Sequence, residues 1–372
     1  MRRDALPLRL EARATPSAAM VWLTPVLAVG LTLLSGFALF AALGFDPVRV
    51  LYGFFVEPVA SKRGITELVV KATPLATIAI GLAVAVRANV WNIGAEGQLL
   101  MGALTGGGLA LVFHGEEGPW LLPAMLVAGM LGGMAWAAIP AFLRTRFNAS
   151  EILTSLMLVY VGRLLLGFLL NGPLRDPEGF NFPESRLFNP EAMLPMMVPG
   201  TRMHLGAVFA LLVVGGGWLL LARTFIGFQI KVVGLTPAAA AYAGFNEKRV
   251  VWFTLLLSGA LAGLAGVMEV AGPIGQITPY ISPGYGFTAI IVAFLGRLHP
   301  VGILLAALLM ALSYLGGDAV QITLGLPQAM TGVFQGMLLF FLLGCDVLVR
   351  YRIRRRRAPA QPQPQTAPVT VP

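Results

Sequence analysis

Apolar runs of about 20 residues recur along this chain, and they leave few folds open. They fall at 22–44, 68–87, 92–113, 120–143, 152–170, 205–222, 250–271 and 329–349. Each approaches the ~20 residues needed to cross a ~30 Å hydrocarbon layer. Two shorter pieces, Gly284–Gly296 and Pro300–Leu315, flank the break Arg297-Leu298-His299-Pro300. Counted as two crossings they bring the total to ten; counted as one re-entrant excursion they give fewer. Of the 372 residues, 57% are hydrophobic and 12% charged, against ~25% charged in a soluble domain. In lipid every backbone amide must be bonded within the protein, and runs of this length achieve that as helices. The expectation is an all-α, polytopic membrane helix bundle of about ten transmembrane helices.

Charge favours ten. With the N-terminus inside, 18 of the 26 basic residues lie in inner segments, among them Arg2, Arg3, Arg9, Arg13, Arg87, Arg144, Arg146 and six arginines between Arg350 and Arg357. Seven lie outside, and Arg163 is left within the fifth span. That asymmetry is the positive-inside pattern, so the net charge of +9 reads as topology and not as nucleic-acid binding. Three regions follow: a cytoplasmic N-terminal segment 1–21, a transmembrane domain 22–350, and a tail 351–372 that is first basic and then rich in Pro, Gln and Thr, as in disordered segments. Trp22–Gly44 is too long for a signal-peptide core and is expected to be a retained first helix.

Asn89–Gly108, N-V-W-N-I-G-A-E-G-Q-L-L-M-G-A-L-T-G-G-G, places Asn92, Glu96 and Gln98 among glycines at membrane depth. Such groups persist there only where protein or a water-filled cavity receives them. Two roles fit: they line a solute path, or Asn92 caps a helix, Glu96 sits at its positive end and Gln98 bonds a neighbouring helix. A glycine-rich counterpart occurs at Pro283–Gly302, after a span of opposite direction, so spans 2–5 and 7–10 are expected to be inverted copies.

Between the sixth and seventh spans lies the loop Arg223–Arg249. Within it Thr236 is placed as N-cap, Pro237 takes the first helical position, Ala238–Ala243 (with Ala240 and Ala241 at its centre) is strongly helix-forming, and Gly244 fits the C-terminal stop. Two turns of alanine helix are marginal alone in water. Rimmed by Lys231, Glu247, Lys248 and Arg249, this helix suits a groove on a cytoplasmic partner.

Ser258–Gly272 carries small residues at 259, 263 and 266, a face for close helix packing. Glu269, near the outer end of that span, either contacts solute or reaches outer water. Arg163 is expected to pair with Glu96 or Glu269. Trp91, Tyr280, Tyr285 and Phe287 offer rings for a flat ligand, although aromatics are routine at membrane interfaces. Asn148 and Glu151 frame a capping-box-like start for span five. No lysine follows a glycine, so the chain has no P-loop; His114, His204 and His299 have no metal-ligand spacing, and no nucleophile elbow occurs. The lone Cys345 reads as a small buried hydrophobe. Neither a catalytic residue, a metal site nor a cofactor is expected.

The blocks N-V-W-N-I-G-A-E-G-Q-L-L-M-G-A, G-L-T-P-A-A-A-A-Y-A-G, S-G-A-L-A-G-L-A-G and F-L-G-R-L-H-P-V-G-I together resemble the permease subunits of bacterial ABC importers for simple sugars, nucleosides and branched-chain amino acids. The resemblance covers about residues 20–350, and the N-I-G-A-E-G-Q form is most similar to the nucleoside branch. It implies a protein of the bacterial inner membrane, where the charge pattern already puts both termini in the cytoplasm. The assembly it implies has two permeases, identical or paralogous, a separate ABC ATPase seated on Thr236, Pro237, Ala240, Ala241, Gly244, Lys248 and Arg249, and an extracytoplasmic substrate-binding lipoprotein. The residues themselves make Asn92, Glu96, Gln98, Glu269, Tyr285 and Phe287 the candidates for a solute path. Relatives often carry M-L-N-Y where this chain has Met157-Leu158-Val159-Tyr160. The alternative from a different class is a self-sufficient proton-coupled transporter, for which Glu96, Arg163 and Glu269 are the titratable candidates.

Overall fold

A computed structural model describes residues 8–12, 18–116, 118–327 and 329–355. The expectations for Arg2, Arg3, Arg13 and the disordered tail 358–372 lie outside the described residues. Thirteen helices follow in order among the described residues: α1 Ala18–Ala42, α2 Pro47–Phe55, α3 Lys62–Arg87, α4 Ala95–Val112, α5 Leu121–Phe147, α6 Glu151–Asn171, α7 Gly206–Arg223, α8 Phe225–Leu235, α9 Pro237–Tyr242, α10 Glu247–Glu269, α11 Tyr285–Leu295, α12 Pro300–Leu324 and α13 Ala329–Arg350. The only strands among the described residues are β1 Leu8–Ala12 and β2 Tyr351–Arg355, paired antiparallel. Neither end is expected to hold regular structure, yet the alternation Leu8-Arg9-Leu10 and Tyr351-Arg352-Ile353 has the period of two that a strand requires.

Among the described residues, eight helices are long and apolar enough to cross a membrane: α1, α3, α5, α6, α7, α10 with its extension to Ile274, α12 and α13. The remaining two expected spans are α4 and α11. Polar residues and glycines dilute α4, and α11 reaches only ~16 Å at 1.5 Å per residue. A π-type turn, Val270–Ile274, ends the α10 span, and irregular backbone from Gly275 to Gly284 leads into α11. The second short piece, expected to end at Leu315, is instead a 25-residue helix. Gly316 and Gly317 do not stop it; they let Phe54 of α2 and Thr331 of α13 approach where a Cβ would collide.

The packing repeats. Helix α3 lies against α10; α10 packs on α4 and α5, and α3 packs on α11 and α12; α4 packs on α5 and α6, and α11 on α12 and α13. Exchanging α3–α6 with α10–α13 therefore leaves the contact scheme unchanged. Both α3 and α10 meet α8, α3 by its C-terminus, where Gly234 abuts the Arg87 backbone, and α10 by its N-terminus. The two thus run in opposite directions, as inverted copies require.

Close approach, rather than burial alone, holds the centre, because lipid offers apolar side chains no advantage for pairing. A Cβ on Gly102 would strike the Gly263 backbone, one on Gly263 the Gly129 carbonyl, and one on Gly133 the Gly259 carbonyl. Helices α4, α5 and α10 therefore meet backbone to backbone. At the α8/α9 end a separate apolar cluster, including Val84, Val90, Leu221, Ile230, Val233, Ala240, Val251 and Leu255, closes the bundle.

Candidate functional site: a polar junction, an outer cavity and an exposed foot

Helices α4 and α11 start inside the bundle and point their N-termini at each other. Gly286, in the first turn of α11, lies so close to Glu96, in the first turn of α4, that a Cβ there would overlap the Glu96 backbone. The buried Glu96 carboxylate fills this gap. It accepts from Gly286 N at 2.8 Å and Ser282 Oγ at 3.1 Å, and Arg163 lies 3.6 Å away. Two helix N-termini and one cation thus surround one anion, the arrangement that favours negative charge. Arg163 pairs with Glu96, one of the two partners expected for it.

Asn92 and Gln98 form a closed amide pair beside this junction. Asn92 Nδ2 donates to Gln98 Oε1 at 2.8 Å, and Gln98 Nε2 returns a bond to Asn92 Oδ1 at 3.0 Å. Asn92 Nδ2 also donates to Ser258 Oγ of α10 at 2.9 Å, and Gly94 N donates to Asn92 Oδ1 at 3.2 Å. Both side chains are buried. Gly94, not Asn92, holds the N-cap position of α4. For span five the cap is Ser150; Asn148 instead ends α5 in the left-handed region, and Glu151 pairs with Arg144 at 2.5 Å. Val159, where relatives often have asparagine, is buried against Gly97 of α4.

A cavity of about 750 Å³ opens at the end of the bundle opposite α9. Its rim carries Arg202, Tyr280 and Asp318, and deeper it is lined by Lys71, Glu269, Ser282, Tyr314, Thr331 and Gln335. Arg202 is held in place by a bidentate bond to Glu67, 2.9 Å from Nε and 2.6 Å from its terminal nitrogen, which raises its pKa further. Lys71 lies 3.9 Å from Asp318. At the floor, Thr288 and Tyr314 share a 2.7 Å bond, and Thr288 Oγ1 donates to Gln335 Oε1 at 3.3 Å. Next to the rim, buried His204 accepts from Gly206 N at Nδ1, 3.1 Å, and burial lowers its pKa to about 4.

Of the six residues expected on a solute path, Glu269 alone lines this cavity. Tyr285 stands behind it, edge-on to Tyr314 at 5.7 Å, and Phe287 is partly exposed elsewhere. Trp91 stacks on Phe294 at 5.7 Å, which leaves Tyr280, 88% exposed at the rim, as the free ring of those considered. Lys71, Arg202, Tyr314, Asp318 and Gln335 were missed. Asp318 and Gln335 are polar interruptions in apolar stretches, and that signal was available.

At the other end α9 forms as expected and projects from the bundle. Pro237 opens it, and Gly244 closes it at φ +79°, where the Phe245 amide reaches back to the Ala240 carbonyl. Thr236 holds the N-cap position, but its hydroxyl bonds back to Val232 instead of capping. Ala240 anchors the helix in the apolar end cluster; Thr236, Pro237, Ala241, Gly244, Lys248 and Arg249 are exposed, as are Leu235 and Tyr242, the latter at 97%.

The chain belongs to the family described as branched-chain amino acid transport system / permease component, whose model matches residues 64–343. The glucose ABC transporter permease protein TsgB13 of Haloferax volcanii is 38% identical over 356 residues, covering 93% of each chain. The nucleoside ABC transporter permease protein NupB of Lactococcus lactis is 28% identical, covering 86% of this chain and 90% of its own. The guanosine ABC transporter permease protein NupP of Bacillus subtilis is 28% identical, covering 86% and 92%. The chain is an ABC transporter permease of the sugar and nucleoside type, a transport subunit and not an enzyme. Its family implies an ATPase and a substrate-binding protein as partners.

Proposed function

We propose that this chain is the membrane subunit of an importer that carries a small polar solute, a nucleoside or a simple sugar, across the bacterial inner membrane. A second permease, identical or paralogous, pairs with it, and an extracytoplasmic lipoprotein delivers the solute. Both termini lie in the cytoplasm, on the side of α9. The antiparallel pairing of β1 with β2 supports placing the two ends on one side.

The observation that carries this reading is α9: a short helix anchored by Ala240 that presents exposed Leu235 and Tyr242 beside Lys248 and Arg249. A two-turn helix with an apolar tip in water invites a docking partner. Nucleotide-driven movement of the ATPases would push on α9 and through it on α8 and α10. Support for the solute class comes from the relatives, named for glucose, nucleosides and guanosine. The N-I-G-A-E-G-Q form favours a nucleoside, and the higher identity to the glucose permease favours a sugar. Binding of a panel of both to the cognate receptor would separate them. The proton-driven alternative gives α9 no purpose, and its candidate Glu96 is held by Gly286, Ser282 and Arg163.

Deleting Pro237–Gly244, or more mildly Tyr242→Asp, is expected to leave membrane insertion intact and to uncouple ATP hydrolysis from uptake in reconstituted vesicles. Uptake at the wild-type rate by both variants would refute the coupling role.

A further inference from the structure

Helix α6 carries a charge where a span facing lipid would not. Its 21 residues reach ~31 Å, close to the ~30 Å hydrocarbon layer, so Glu151 and Asn171 lie near the two surfaces. Arg163 stands ~18 Å along the helix from Glu151 and ~12 Å from Asn171. Neither surface is within reach of an arginine side chain, and the 3.6 Å contact to buried Glu96 holds the guanidinium at that depth. Even so, the Arg163 side chain is 50% exposed, against 1% for Glu96. The exposed half does not belong to the outer cavity, whose wall excludes Arg163.

Most donors of this guanidinium are unspent. It carries five N–H groups. Glu96 Oε2 already accepts from Gly286 N and Ser282 Oγ, and only Oε1 faces Arg163. One carboxylate oxygen accepts about two bonds, so most of the five N–H groups are left over. Tyr160, one turn earlier on the same side of α6, is 56% exposed and adds a hydroxyl to that face. Helix α7 is the contrast: between Leu211 and Leu219 its exposed residues are leucines, glycines and Trp218.

An arginine at this depth faces protein or water, not lipid tails. A second permease is the cover that the proposed assembly supplies. For an identical partner, two-fold pairing through α6 brings one Arg163 toward its counterpart. Two guanidinium groups repel strongly across a dry contact and weakly across water. The partner's surface therefore stands off from α6, with water between.

We propose that Arg163 is a solute-contacting residue. With Tyr160 it lines a water-filled passage along α6, closed on the far side by the second permease. Its leftover donors bind acceptor oxygens of the passing solute, and its charge turns cations away. Because the same guanidinium touches Glu96, a solute that engages it bears directly on the junction of α4 and α11. This inference rests on the reading of the chain as an importer permease.

The test uses the complete importer in vesicles, with Cys345→Ser removing the one native cysteine of the chain. Tyr160→Cys then places a thiol beside Arg163 and leaves the Arg163–Glu96 pair intact; Leu212→Cys on α7 is the lipid-facing reference. Two membrane-impermeant methanethiosulfonates, one bearing a sulfonate and one a trimethylammonium group, probe each thiol. The thiol at 160 is expected to react and the one at 212 to stay inert. The sulfonate reagent should be favoured about fivefold at 160, and Arg163→Gln should abolish that preference, as one nearby cation in water requires. Arg163→Gln alone should lower the maximal rate of D-glucose or adenosine uptake about tenfold, the effect of one lost charged hydrogen bond. A thiol at 160 as inert as that at 212, a reagent preference indifferent to Arg163, or wild-type uptake by Arg163→Gln would each overturn the proposal. Those results beside normal ATP-driven uptake by wild type would leave the permease reading standing. No ATP-driven uptake of any sugar or nucleoside by wild type would sink the permease reading itself.

Discussion

Two polar clusters lie among the transmembrane helices, and they differ in whether their bonds are closed. Around Asn92, Gln98 and Ser258, each carboxamide nitrogen finds a protein acceptor, and both Asn92 and Gln98 are shut away from solvent. Around Thr288, Tyr314 and Gln335, a similar set of side chains ends with one buried nitrogen unpaired. The first cluster fastens α4 to α10; the second links α11, α12 and α13 with one donor to spare. A polar side chain at membrane depth is thus no guide to a solute path until its partners are known.

Glu96 ties α4 to α11 through Gly286 and Ser282, and breaking it should have the largest effect. Glu96→Leu strands Arg163 and frees the Gly286 and Ser282 donors, a loss of about 3–5 kcal/mol by the usual cost of breaking a buried charge pair. Glu96→Gln keeps an acceptor and should lose less. Thermal unfolding of the detergent-solubilised protein measures both; a Leu variant as stable as wild type would show that the junction holds nothing.

His204 tests the outer rim. Its unfolded pKa is near 6.5 and its folded pKa about 4, so between those values the unfolded chain binds the extra proton. The stability it supports is complete above about pH 6.5 and falls by about 3 kcal/mol as pH drops toward 4. Exchange of amides at 196–206 should therefore accelerate over that window, and His204→Gln should flatten the profile. An unchanged profile in His204→Gln would assign the pH response to other groups.

The closed cluster gives the smallest signal and the most direct comparison. Asn92→Leu should cost about 1–3 kcal/mol, because it leaves Gln98 and Ser258 unpaired. Adding Gln98→Leu should cost less than the sum of the two single changes, since an apolar pair leaves fewer orphans. Neither change should alter the KM for uptake. A raised KM in Asn92→Leu would put the closed cluster on the solute path.

Much of the fold was legible in the sequence because lipid restricts the choice. Run length located α1, α3, α5, α6, α7, α10 and α13, and the punctuation Thr236-Pro237 and Gly244 located α9 within a residue. The length of α12 was not legible. Gly316 and Gly317 look like breakers in one dimension, and only the proximity of Phe54 and Thr331 shows them to be contact points. At the site, the residue types around Asn92 were conspicuous, but their pairing spans α4 and α10, which spacing along the chain does not reveal. Gln335 was overlooked for the converse reason. A lone carboxamide in an apolar run looks incidental until Thr288 and Tyr314, from two other helices, are brought beside it.

The π-type turn at Val270–Ile274 makes chain length itself a specification. Removing one residue there would reset the helix to its ordinary pitch and turn everything that follows by about 100°. Ser282 would then swing off Glu96, and the cavity wall it belongs to would face another way. Insertions and deletions at this turn should accordingly be far less tolerated than side-chain exchanges, since each one re-aims half of the molecule.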